Sequence, residues 1–327
     1  WGCLGAHLFV AVIEPRWARP KALNFNHDLE VLSGAGGGGM TAWRMEPPTA
    51  LAYFASLVGD DPGISLLEAA IAIAQDDHPD LDPTEVITQI DELGQRLKRR
   101  IPADAVALQR LRFLNRFFFH ELGFKGNVND YHNPCNSHLH EVLETRRGIP
   151  ISLAVLYMEW ASQIGLTARG VNFPGHFLVK LRLPRGEVVI DPFSGHSLSR
   201  EDLEERLHPY RQQSGLHGDF EVPLGLFLQT AAPREILARM LRNLKDIHRT
   251  QEDWGRLRAV LNRLVVLLPE AWEERRDRAL TLAELGLDRA AADDLTAYLQ
   301  HCGDAEDAPA LRERLRELQR ANSGPLH

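Results

Sequence analysis

The sequence predicts an α+β protein in which a short β-meander lies between two helical regions. Apolar residues recur at helical spacing before residue 123 and again after residue 233. Between these regions the apolar period changes from that of helices to that of extended strands. A helix followed by a meander is typical of the α+β class. At 327 residues the chain is long enough for about two domains and a sizeable buried core.

Composition and charge exclude several classes of protein. With 44% hydrophobic and 25% charged residues, the chain is globular rather than disordered or embedded in a membrane. A net charge of −8 leaves no global basic surface for nucleic acid. The three cysteines are too few and too dispersed for a disulfide framework, which predicts a reducing, cytoplasmic setting. We expect neither nucleic acid nor a membrane as a partner, since the apolar stretch 8–13 is too short to cross a bilayer.

The first 39 residues differ from the rest. Residue 1 is Trp1, and the first methionine, Met40, follows a glycine-rich run at 34–39. We hypothesise that residues 1–39 are a disordered leader and that translation begins at Met40 or Met45. Because the glycine run lacks the Lys-Ser/Thr ending of a phosphate-binding loop, no cofactor is expected there.

Residues 40–125 are predicted to form an N-terminal helical region without visible chemistry. Ser65 and Glu68 have the spacing of a capping box at a helix start. Two further helices are predicted over 83–100 and 105–122. The aromatic run Phe117 to Phe119 is expected in the core.

Residues 126–225 are predicted to form the central α+β unit. Asn136 and Ser137 can cap a short helix, and Pro150 suits the first turn of a second helix that runs to Gly165. Turn residues then separate three predicted strands, and another helix closes the unit; these elements span 167–173, 177–183, 187–190 and 199–207.

Residues 233–320 are predicted to be all helical. The five helices span 234–248, 254–267, 272–285, 289–299 and 308–318. A 34-residue offset pairs Leu261 with Leu295, which is the tetratricopeptide period. About one and a half repeats are too few to stand alone, so we expect them to dock onto the rest of the chain. Such helix pairs offer a groove to a protein or peptide partner.

Three polar residues of the central unit fall at the edges of predicted elements. Ser152 is at a helix start, His176 leads a strand, and Asp191 follows the next strand. A nucleophile at a helix N-terminus gains from the positive dipole, and a base with its orienting acid can meet across antiparallel strands. These positions are typical of a catalytic triad.

The same segment resembles a known family. The resemblance rests on the motifs at 136–143, 147–153, 174–177 and 190–193. They are similar to those of bacterial transglutaminase-like proteins of the regulator-of-sirC type, in which a degenerate transglutaminase core precedes tetratricopeptide-like helices. The wider superfamily resembles papain-like proteases in using a Cys at a helix start, then a His, then an Asp. The resemblance assigns His176 and Asp191 to the second and third positions. Pro150 falls near the Cys position, and Ser152 is the nearest hydroxyl.

Two functions follow from this resemblance. The first is a regulatory or protein-interaction scaffold with a vestigial active site, in which Ser152 caps a helix, His176 is a structural remnant and Asp191 shapes a turn. The second is a hydrolase or acyltransferase on an amide or ester, with Ser152 attacking, His176 as general base and Asp191 orienting it. Cys135 is an alternative nucleophile, or a small, partly buried side chain.

Four residues near the start of the central unit are of the types that bind metals. His132, Cys135, His138 and His140 lie close together in sequence. His138 and His140 are two residues apart, and on a helix such side chains point away from each other. We therefore expect surface histidines here and no metal.

Overall fold

The computed structural model describes residues 48–213 and 222–322, and these form thirteen helices and six short strands. The predicted leader at 1–39 and the possible starts at Met40 and Met45 lie outside the described residues.

Four helices make up the N-terminal region. They are α1 (Ala50–Val58), α2 (Leu66–Ala72), α3 (Pro83–Lys98) and α4 (Ala107–Asn115), and a π-helical turn (Arg116–Glu121) continues α4. Phe117 and Phe118 are buried, as expected, whereas Phe119 is only partly buried. The predicted capping box is wrong, because Ser65 makes no side-chain cap bond. Glu68 instead accepts a hydrogen bond from the Tyr53 hydroxyl of α1 at 2.6 Å.

The central unit contains all six strands of the described residues. Its helices are α5 (Leu139–Thr145), α6 (Pro150–Gln163) and α7 (Arg200–Gln213). Its strands are β1 (Lys125–Gly126), β2 (Arg147–Gly148), β3 (Thr167–Val171), β4 (Leu178–Leu183), β5 (Gly186–Ile190) and β6 (Ser197–Leu198). Strands β3 to β6 form one antiparallel meander in chain order, while β1 and β2 pair in parallel.

The central helix α6 is apolar almost all round because it is covered on several sides. It packs against β3 and β4, and also against α3. The indole of Trp160 is fully buried and donates to the Ile90 carbonyl of α3 at 2.9 Å. Pro150 starts the helix, where its missing N–H leaves no broken bond. Helix α6 is therefore held by both the sheet and the N-terminal region.

The C-terminal region is helical throughout the described residues. Its helices are α8 (Leu224–Phe227), α9 (Pro233–Thr250), α10 (Trp254–Leu267), α11 (Trp272–Glu284), α12 (Asp288–His301) and α13 (Ala308–Asn322). The helix predicted over 254–267 has the observed bounds of α10. A capping Asp253, whose side chain accepts from Arg256 N, marks its start.

One hydrophobic cluster runs through the N-terminal helices, the central unit and the first two long C-terminal helices. It joins residues from α1 to α6, β3 to β5, and α9 and α10. A second cluster holds α11, α12 and α13 together. The first tetratricopeptide-like helices are thus docked onto the rest of the chain.

None of the helices in residues 48–213 and 222–322 has the length and apolar character needed to cross a membrane.

Candidate functional site

The antiparallel pairing of β4 and β5 brings His176 and Asp191 together. His176 lies two residues before β4, and Asp191 directly follows β5, whose last residue, Ile190, pairs with Val179. The ring Nε2 of His176 lies 2.8 Å from Asp191 Oδ1, which is a hydrogen bond. His176 keeps 22% of its side chain exposed, whereas Asp191 is almost fully buried.

Asp191 is held by three donors. Besides His176, the backbone N–H of Phe193 donates to Oδ1 at 2.9 Å. The guanidinium of Arg206, on α7, donates to Oδ2 at 3.1 Å. Burial raises the pKa of Asp191, but the bonds from His176, Phe193 and Arg206 outweigh it and hold that pKa far below its usual range. The carboxylate is therefore anionic and fixed in position at neutral pH.

Ser152 has a different set of partners. Its side chain is fully buried in the first turn of α6. The hydroxyl lies 2.6 Å from the Asn136 carbonyl and 3.1 Å from the Ile149 carbonyl, and it accepts from Ile149 N at 3.1 Å. Among the described residues, His176 is not a hydrogen-bond partner of Ser152. Because a hydroxyl has one proton, the short bond to Asn136 leaves none for a base.

The loop before α5 explains why this serine is so well bonded. Asn136 is buried, and its side-chain amide donates to the carbonyl of Asp130 at 2.6 Å. The amide of Asn127 donates to Asn136 Oδ1 at 2.9 Å. A Cβ on Gly148, in β2, would lie 2.7 Å from Ser152 Oγ, so the glycine leaves room for the hydroxyl. Ser152 thus braces the start of α6 against this loop.

Cys135 is the alternative candidate nucleophile. It is exposed, in a short 3-10 helix (Pro134–Ser137) ahead of α5. Partial burial and the nearby Glu141 carboxylate raise the pKa of the thiol. A raised pKa lowers the thiolate fraction at neutral pH and makes the group a poorer nucleophile.

The expectation that His138 and His140 point apart is wrong. Their rings are stacked, with centroids 6.0 Å apart and planes at 14°. The reason is that α5 begins only at Leu139, so His138 is the residue before the helix and has an extended backbone, φ −87° and ψ 114°. Rules for side chains on a helix do not apply to it. His132 is exposed, outside this pair.

Sequence reasoning missed two contributors to the site. Arg206 lies on α7, 15 residues after Asp191, and no local motif indicates that it reaches the carboxylate. Asn136 was recognised only as a helix cap, yet its carbonyl receives the Ser152 hydroxyl across 16 residues. Both contacts arise from tertiary packing.

Fold and site together define a transglutaminase-like core followed by tetratricopeptide-like helices. Residues 84–242 match the family model of the transglutaminase-like superfamily, and residues 244–316 match that of the tetratricopeptide repeat.

Among curated proteins, the chain is 37% identical to a UPF0162 protein of Xylella fastidiosa strain 9a5c, over 79% of this chain and 92% of the relative. It is 31% identical to a UPF0162 protein of Pseudomonas aeruginosa, over 80% of this chain and 94% of the relative. The chain belongs to the UPF0162 family of bacterial proteins, whose Escherichia coli K12 relative YchA is 24% identical over 77% of this chain. No solved structure matches significantly.

A shorter match extends beyond bacteria. Mouse F-box only protein 21 is 46% identical over 72 residues, which are 22% of this chain and 12% of that protein.

Proposed function

We propose that this protein is a cytoplasmic, regulatory or protein-interaction scaffold in which the transglutaminase-like active site is vestigial. The observation that carries the proposal is the state of Ser152. Its buried hydroxyl donates to the Asn136 carbonyl at 2.6 Å and accepts from Ile149 N at 3.1 Å, as a structural brace would.

Two further observations support the scaffold. Pro150, at the first residue of α6, is buried and offers no nucleophile. The tetratricopeptide match at 244–316 supports a partner, since such repeats commonly bind proteins or peptides. Leu280 on α11 and Leu287 before α12 are exposed large apolar side chains in this segment.

The alternative is an amide or ester hydrolase or an acyltransferase. What favours it is the bond of 2.8 Å between His176 and Asp191, on a histidine that is still partly exposed. Such a pair can orient an imidazole for general-base chemistry. For Ser152 to attack, however, its hydroxyl must leave the Asn136 carbonyl and reach the His176 ring.

A serine-directed fluorophosphonate probe separates the two functions. The full chain is incubated with the probe, and the intact mass is compared with that of Ser152→Ala treated alike. The scaffold predicts no adduct on either protein. An adduct on the wild type that is missing from a folded Ser152→Ala variant would establish a reactive serine and end the scaffold proposal.

Partner binding is tested with the exposed leucines. Crosslinked capture with the wild type is compared with the double variant Leu280→Glu/Leu287→Glu. The matched control is Val106→Glu, at an exposed apolar residue just before α4. A protein recovered with the wild type and the control but lost with the double variant supports the scaffold. Identical recovery by all three proteins contradicts binding through this segment.

A further inference from the structure

A cluster of ionisable side chains lies apart from the His176–Asp191 pair, where α5 meets the segment after α2. His140 and Glu141 are in the first turn of α5, and His78 follows the 3-10 helix Ile73–Asp76. One potential ligand atom from each of these three residues lies within 4.8 Å of the other two. The chain therefore brings two imidazoles and a carboxylate together from positions more than 60 residues apart.

The spacing suits a metal ion better than it suits direct hydrogen bonds. Glu141 Oε1 lies 3.8 Å from His78 Nε2 and 3.7 Å from His140 Nε2, beyond hydrogen-bond distance in both cases. For metal–ligand bonds of about 2.1 Å in a tetrahedron, neighbouring ligand atoms are about 3.4 Å apart. The two separations from Glu141 are within a few tenths of an ångström of this value.

The two ring nitrogens of His140 have different surroundings. Nε2 faces Glu141 Oε1 at 3.7 Å and is the nitrogen placed to bind an ion. Nδ1, on the other side of the ring, is buried and has no hydrogen-bond partner among the described residues, and the side chain as a whole is only 18% exposed. A histidine that binds a metal through one nitrogen usually donates from the other, so Nδ1 needs an acceptor such as water.

A second set of ionisable side chains borders the cluster. The neighbouring His138 Nε2 lies 3.6 Å from Asp77 Oδ2, and Asp77 is also bonded to Arg256 at 2.7 Å. Asp77 and His138 thus form the polar surroundings of the cluster.

An approach path from solvent is present. His78 keeps 38% of its side chain exposed. His140 also lines a cavity of about 390 Å³, with Glu85, Gln89 and Glu144 among its polar walls. The exposed part of His78 gives an ion access to the cluster, and the cavity has room for water beside His140.

We propose that His78, His140 and Glu141 bind one divalent transition-metal ion of the zinc type, with an open position for water. Two histidines and one carboxylate are an established donor set for zinc, and imidazole nitrogen favours such ions over magnesium or calcium. The site is separate from Ser152, His176 and Asp191, so it stands whether or not the protein is a scaffold.

The test is titration of the full chain with zinc chloride by calorimetry, after dialysis against a chelator. Titration with cobalt(II) is followed in parallel by visible absorption, which reports tetrahedral coordination. We expect one tight ion per chain. His140→Ala and Glu141→Gln should each weaken zinc binding at least about tenfold, as loss of a direct ligand does.

Control variants make the result specific. His132→Ala removes an exposed histidine outside the cluster and should leave zinc affinity unchanged. His78→Asn changes a partly exposed side chain with little risk to the fold and should again weaken binding. Circular dichroism checks that each variant is folded. Equal affinity and stoichiometry for the wild type, His78→Asn and Glu141→Gln would overturn the proposal, as would absence of tight zinc binding by the wild type.

Discussion

Asp191 is the residue at which most polar contacts of the candidate site meet. Its carboxylate is almost fully buried and accepts hydrogen bonds from His176, from the backbone N–H of Phe193 and from Arg206. A buried carboxylate with three donors is stabilising only while all of them remain. Its contact with His176 and its contact with Arg206 of α7 are therefore made by the same carboxylate.

Replacing Asp191 by Asn should destabilise the protein. The amide keeps the shape but removes the negative charge that Arg206 and His176 face, so we expect a loss of about 2 kcal/mol in the free energy of unfolding. Urea denaturation at pH 7 measures it. Glu201→Gln, an exposed carboxylate in the first turn of α7, is the control and should change stability by less than about 0.5 kcal/mol.

The pH dependence of the protein's stability should reflect the ionisation of the same carboxylate. Because the pKa of Asp191 is lower in the folded state than in the unfolded state, its stabilisation is complete above the unfolded value of about 3.9. That stabilisation is lost as the pH falls further. Asp191→Asn should therefore show a shallower loss of stability than the wild type below about pH 4. If the stability of the two proteins fell equally steeply in acid, this role for the carboxylate would be contradicted.

At the scale of elements, β1 matters more than its two residues suggest. Gly126 N donates to the Phe193 carbonyl at 2.9 Å, which joins β1 to the loop after Asp191. A Cβ at Gly126 would lie 2.2 Å from the Phe193 ring. That ring also makes an edge contact with His176, with centroids 6.3 Å apart. Only glycine lets the strand and the aromatic ring approach so closely.

Gly126→Ala should therefore displace Phe193 and destabilise the protein by about 1–3 kcal/mol, the usual result of overpacking. Thermal unfolding followed by circular dichroism measures the change. Gly225→Ala is a matched control, because a Cβ at Gly225 meets nothing within 4 Å. Equal unfolding midpoints for the two variants would show that the loop with Phe193 can move aside without loss of stability.

The elements that were predicted well from the sequence are those whose start signals lie in neighbouring residues. α6 begins at Pro150 and α10 follows the capping Asp253, so both starts are readable from neighbouring residues. The β1–β2 pair was not predicted because two-residue strands have no apolar alternation. His176 and Asp191 were expected to meet because antiparallel strands impose it, and their bond agrees. The approach of His78 to His140 depends on packing between distant helices, which no local pattern reports.

At the scale of the whole molecule, an ion pair ties the C-terminal helices to the N-terminal ones. Arg263 on α10 is fully buried and makes two hydrogen bonds to Asp76, at 2.6 and 3.0 Å. Its guanidinium also lies 4.9 Å from the centre of the Phe54 ring of α1. A buried guanidinium is tolerated only while its charge is matched.

Asp76→Ala should cost about 3 kcal/mol or more in the free energy of unfolding, because it leaves the buried Arg263 charge without a partner. The double variant Asp76→Ala/Arg263→Met should recover part of this loss, since no unpaired charge remains. Chemical denaturation of the wild type, Asp76→Ala, Arg263→Met and the double variant gives the coupling energy. Asp61→Ala is the control; Asp61 is paired with Arg234 but 72% exposed, so a change of at most about 1 kcal/mol is expected. Equal losses for Asp76→Ala and Asp61→Ala would refute this role for the pair.

The hydrophobic cluster shared by α1 to α6 with α9 and α10 sets an order of events during synthesis on the ribosome. Domains generally fold as units while the chain emerges. Here the apolar faces of α1 and α2 are covered by α10 and α9, so the nascent chain cannot complete its core until Leu267 has left the exit tunnel. Until then, the faces of α1 and α2 that α10 and α9 cover stay exposed, and exposed apolar surface of this kind is prone to aggregation.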